Sequence, residues 1–217
     1  MRCHILFTAV ASVLAMSGAH AELVNVTATG TVAFNVIQGN QTGTGSGAPV
    51  VMSFNVDSDV FVNSVNFPTR GYDIIPASFS LLVGGQPIHL VHPQPGGPAR
   101  FVLRNNDPAV DGFFLSRNNV DFPVAVNVTI PGLTPIHDLN FSRSFNDGTP
   151  FPSLNILECL GTYGTANLAA FQWTVGRLGG VGAEYNYQSL TISIVPEPSC
   201  AAVLAGLAGL MGRRRGA

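Results

Sequence analysis

The chain has 217 residues, with 24 glycines and 15 prolines but only 10% charged residues and no lysine. Residues 22–195 hold six arginines against eleven acids, a formal charge of −5. That balance argues against nucleic acid or anionic lipid as the partner of the body, and the length suits one domain with its own core.

The first residues read as an export signal. Arg2 supplies a positive n-region, Ile5 to Met16 an apolar run, and Ala19-His20-Ala21 a small-x-small cleavage site. No Cys follows the apolar run, which argues against a lipoprotein, and the mature chain is expected to begin at Glu22.

The body that follows is dominated by period-two alternation, the mark of strands with one buried face. From Leu23 to Ile37 the apolar set is Val24, Val26, Ala28, Val32, Phe34 and Val36, with Asn and Thr between them and a bend expected at Gly30. A glycine-rich loop spans Gln38 to Pro49. Alternation resumes at Val50, Met52, Phe54 and Val56. Further strands are expected at Val60–Phe67, Ser78–Val83, Ile88–Val91, Arg100–Arg104, Gly112–Ser116, Val124–Ile130, Leu139–Phe145, Ala169–Val175 and Tyr185–Ile194. Gly84-Gly85 is a hairpin signal, Asn105-Asn106-Asp107-Pro108 is turn chemistry, and Ser153–Leu160 is the one stretch suited to a helical turn or two. The strand spacing predicts an all-β fold. The expected form is a two-sheet sandwich of about ten or eleven strands with Greek-key or jelly-roll connections over residues 22–194.

Candidate chemistry in the body is sparse. Cys3, Cys159 and Cys200 fall in the signal, the body and the tail, so the mature domain keeps a single thiol and no internal disulfide. Its apolar setting predicts a buried, inert Cys159, and nothing local pairs it with His137. Ser46 stands in a linker-like Gly-Ser-Gly, not a nucleophile elbow. His89 and His92, three apart on a strand, point to opposite faces and lack a third ligand. Asp57, Asp59, Asp107 and Asp111 carry oxygens of the kind calcium takes, although turn conformation alone explains Asp at such places. No other cofactor is expected. Trp173 shares parity with Phe171 and Val175 and reads as core. The candidate sugar-stacking aromatics are Tyr72, Trp173, Tyr185 and Tyr187, the last two sharing one strand face.

The tail is the most specific signal. Pro196-Glu197-Pro198 precede an uncharged apolar run over 199–212, then Arg213-Arg214-Arg215. Fourteen helical residues span roughly 21 Å, short of the ~30 Å hydrocarbon core, so the run makes a poor permanent anchor, and the arginines favour a cytoplasmic C-terminus. In order and spacing, residues 195–217 resemble the PEP-CTERM sorting signal read by exosortases of Gram-negative bacteria. The resemblance implies export across the inner membrane, transient anchoring, cleavage near Pro196–Pro198 by an exosortase-like membrane enzyme, and release or attachment at the cell surface. The expected partners are that enzyme, signal peptidase with the export machinery, and extracellular polysaccharide, with no nucleic acid. The function expected is that of a non-enzymatic envelope or matrix protein. The alternatives are a secreted carbohydrate-binding module and, behind it, a secreted hydrolase.

Overall fold

Alternating burial runs through the body because each strand turns one face inward. In β1 (Leu23–Asn35), for example, Val24, Val26, Ala28 and Val32 are buried while Asn25, Thr27 and Thr29 are half-exposed. The computed structural model describes residues 21–38, 41–106, 110–117, 123–128, 135–146, 150–177 and 180–196. The other strands are β2 (Pro49–Asn63), β3 (Thr69–Ile74), β4 (Ser80–Val83), β5 (Gln86–Leu90), β6 (Ala99–Arg104), β7 (Gly112–Arg117), β8 (Val124–Val128), β9 (Ile136–Phe145), β10 (Gly161–Tyr163), β11 (Leu168–Arg177) and β12 (Gly180–Ile194). Single 3-10 turns at Pro76–Ser78 and Ile156–Glu158 are the helical elements among the described residues. The fold is all-β. The signal helix and the C-terminal apolar helix expected from the sequence lie outside the described residues, and within those residues no helix is long and apolar enough to cross a membrane.

The strands form one antiparallel network rather than two separate sheets. Hydrogen-bonded neighbours run β1-β12-β11-β9-β7-β6-β3-β2, and β2 pairs back onto β1, which closes a ring of eight strands. Two long strands make this arrangement by sharing one edge between two partners. β2 pairs with β4 through Val50–Ser53 and with β3 through Val56–Asn63. β9 pairs with β8 through Ile136–Leu139 and with β7 through Ser142–Ser144. Two three-strand flaps, β3-β6-β7 and β4-β5-β8, therefore bridge the same two strands, with a seam between them. Closure removes the open edges that a free sheet would present.

Direction alternates around the ring, so one end of it gathers the starts of β1, β3, β7 and β11 and the ends of β2, β6, β9 and β12. Both termini of the body leave from this pole. Val195 N–H donates to Leu23 O at 2.8 Å, and Ser58 N–H donates to Glu22 O at 3.0 Å. The connection from β9 to β11 folds inward there, burying Phe151, Ile156 and Cys159. Tyr72 of β3 holds it by donating to Leu154 O at 2.7 Å and accepting from Ile156 N–H at 3.0 Å.

Local expectations were met where one face is buried. β1 is irregular at Thr29/Gly30, and a Cβ at Gly30 would lie 2.2 Å from Asn186 O, so only glycine allows the backbones to approach there. Gly84 and Gly85, at φ 56° and 82°, make the two-residue turn between β4 and β5. The expected break between Val56 and Val60 is absent. Asp57-Ser58-Asp59 is a bulge inside β2, where Val56 to Phe61 faces only Ile74 to Tyr72. β3 and β10 are additional strands that no alternation announces.

Candidate functional site

The inward face of the ring near the terminal pole is aromatic around one buried cation. Arg143 of β9 is 1% exposed. Its guanidinium lies 4.1 Å from the Tyr187 ring centre and 4.6 Å from that of Phe145, and it donates to Gly164 O. Nε and Nη1 lack hydrogen-bond partners, so the two ring faces supply much of the compensation for the lost water. Burial lowers the Arg143 pKa, against an opposing contribution from Tyr187. Tyr187 donates to Tyr163 O at 2.5 Å, and Tyr163 donates to Cys159 O at 2.7 Å, tying β12 to the inward segment. Burial raises the pKa of Tyr163, Tyr185 and Tyr187 above the ordinary tyrosine value.

This arrangement places the candidate residues plainly. Tyr185 and Tyr187 do share one face of a strand, but it is the inner face, with exposures of 0% and 7%. Neither ring offers a surface to a glycan; their work is packing, with Tyr185 edge-on to Trp173 at 5.5 Å. Trp173 is buried, whereas Phe171 of the same parity is exposed, because the start of β11 runs beyond its pairing with β12, which begins at Thr174. Cys159 is buried, and desolvation, helped by Glu158 and Asp111, pushes its thiol up to about 12, which keeps it protonated and unreactive near neutrality. His137 opens β9 at the far end of the ring from that thiol and contacts Pro135 O at 3.1 Å through Nδ1.

The acidic candidates serve the backbone. Asp57 Oδ1 accepts from Asp59 N–H at 2.8 Å across the bulge. Asp111, with no exposure, accepts from Asn106 N–H at 2.9 Å and Phe151 N–H at 2.8 Å, so its two carboxylate oxygens join two connections at the terminal pole. Asp107 lies outside the described residues. Among the described residues no group of three or more His, Cys, Asp or Glu side chains is placed to hold a metal. His89 on β5 and His92 after it are exposed, and Ser46 is an exposed turn residue.

The seam between the flaps holds two hollows that the sequence reading missed. One, of about 300 Å³, is lined by Ile74 and Pro76 on one bank, Leu90 on the other, and the loop through His92, Pro93, Gln94, Gly97 and Pro98. Gln94 fastens that loop to β8, donating to Ala125 O at 2.8 Å and accepting from Ala125 N–H at 2.9 Å. Its lining is apolar with His92 as the titratable member, suited to shape recognition rather than acid–base chemistry. The other, of about 230 Å³, lies where β9 forks, between Arg104, Phe114, Pro123, Asn140, Ser142 and Gln172. The turn-forming run Pro93-Gln94-Pro95-Gly96-Gly97-Pro98 was the available signal for the first.

Of the residues expected from the sequence to take part in sorting and processing, Ala21 and Pro196 are described and exposed. Ala19, Glu197, Pro198 and Arg213–Arg215 lie outside the described residues. No family model matches the chain, and neither a curated protein nor a solved structure is significantly similar to it.

Proposed function

We propose that this chain is an exported, non-enzymatic protein of the cell envelope or extracellular matrix, sorted through its C-terminal signal and associated with extracellular polysaccharide. The observation that carries the reading is the order Pro-Glu-Pro, uncharged apolar run and arginine cluster over residues 196–215. The placement of the termini supports it: Ala21 and Pro196, the two flanks of the expected cuts, are exposed and leave the same pole beside each other. A body tethered at that pole presents both junctions to membrane-bound enzymes while its ring is already closed.

We read the ring as flattened into two packed layers, in the manner of a jelly roll. Rings from separated strands meet across the interior, as Phe113 of β7 does with Tyr163 of β10 at 6.0 Å.

Replacing Arg213–Arg215 with alanine removes the charge that holds the tail in the membrane. The expected result is loss of most membrane-retained precursor and of the processed product, read on blots of membrane and external fractions. Unchanged processing of that variant would overturn the sorting reading.

A further inference from the structure

The β2–β3 hairpin carries apolar side chains where water would ordinarily select polar ones. Val65 is 99% exposed and Phe67 60%, and Val60 and Val62 on the stem are 49% and 38% exposed. The backbone beneath them is satisfied internally. Ser64 N–H donates to Thr69 O at 3.0 Å, Ser64 Oγ accepts from Phe67 N–H at 3.2 Å, and Thr69 N–H donates to Phe67 O at 2.7 Å. Arg70 pins the stem, donating to Asn63 Oδ1 at 2.7 Å and lying 4.0 Å from the Phe61 ring centre. The tip is thus a built loop that holds Val65 and Phe67 outward.

Its position gives the patch a meaning. β1 begins opposite Asp57, and β2 continues to Asn63; because of the bulge this overhang is matched on β3 by Asp73 to Arg70 only, roughly 10 Å of strand. The hairpin therefore projects from the pole at which Pro196 leaves the ring. Between Pro196 and the start of the apolar run at Ser199 the chain reaches at most roughly 11 Å. Whatever surface receives the apolar run must lie within that reach of the pole, and the hairpin stem together with its tip loop beyond Asn63 extends over a comparable distance.

We infer that the tip of the β2–β3 hairpin, led by Val65 and Phe67, inserts into the interfacial layer of the lipid bilayer that takes up the C-terminal apolar run. This rests on the membrane-tethered reading of the tail. The attraction is apolar rather than electrostatic, in keeping with an acidic body and with Asp57 and Asp59 at the hairpin base. It gives the short tail a second foothold and fixes the orientation of the pole, so that the segment around Pro196–Pro198 is held at the membrane surface.

The test uses the full chain in phosphatidylcholine vesicles. Variants F67W and V65W place a reporter on the tip, V36W places one at the opposite pole, and the native Trp173, the single tryptophan, is buried and gives a constant background. The expected result is co-flotation of all chains, with blue-shifted F67W and V65W emission lost to acyl-chain-brominated lipid while V36W keeps its emission. Co-flotation with F67W and V65W left water-exposed and unquenched would overturn the inference and assign the patch to a protein partner. Failure of every chain to co-float would overturn the membrane reading of the tail, and the inference with it.

Discussion

Trp173→Ala is expected to lower the unfolding free energy by about 3–5 kcal/mol, the usual cost of emptying a large aromatic site in a core. Trp173 is 1% exposed, meets Phe141 edge-on at 5.3 Å and Tyr185 at 5.5 Å, and lies over Gly30, whose missing side chain makes room for it. Its Nε1 has no hydrogen-bond partner, so the loss comes from packing and a residual cavity rather than from a broken polar contact. Trp173→Phe should accordingly cost much less than the alanine change. For a domain of this size such a loss lowers Tm by roughly 6–20 °C, readable by calorimetry or denaturant titration. An alanine variant melting with the wild type would show that the strand-to-strand contacts around Gly30 are not those described.

Asp111→Ala is expected to cost about 2–6 kcal/mol, because it orphans two backbone N–H groups at roughly 1–3 kcal/mol each. Asn106 N–H and Phe151 N–H both end on this carboxylate, and the Asp111 carbonyl accepts from Phe145 N–H at 2.9 Å. The inward segment that carries Phe151, Ile156 and Cys159 is held partly by that bond, so the change should also expose Cys159. Faster labelling of the thiol by an alkylating reagent in Asp111→Ala than in wild type measures this. Equal labelling together with unchanged stability would mean that Tyr72, Tyr163 and Tyr187 hold the segment without help from Asp111.

How much of this was readable from the sequence depends on how locally each feature is determined. Strands with one buried face, such as β1 and β12, declare themselves by alternation, and the Gly84-Gly85 turn by its dihedral demand. β3 does not, since Arg70, Gly71 and Asp73 interrupt its apolar set and its inward residues are Tyr72 and Ile74. Closure of the ring has no local signal at all: Thr29 pairs with Ser189, and nothing in either segment names the other. The shared edges of β2 and β9 are equally silent, which is why the strands were expected to fall into two sheets.

The candidate side chains follow the same rule. That Tyr185 and Tyr187 share a face was legible; that the face is inward was not, because tyrosine suits a wet platform and a core with a polar handle alike. Asp111 read as a turn residue, and its partner Phe151 lies forty residues downstream. Gln94 gave no sign of its bond to Ala125. The tail is different, since residues 197–217 lie outside the described ones and the sorting reading rests on their order and spacing alone.

Export and cleavage at both junctions would leave their mark on the two ends of the protein. Mass spectrometry of the chain recovered from the envelope and the medium should give a product that begins at Glu22 and ends near Pro196–Pro198, without Arg213–Arg215. A surface or secreted product that still ends at Ala217, or a chain that stays whole in the cytoplasm with Met1 in place, would contradict it.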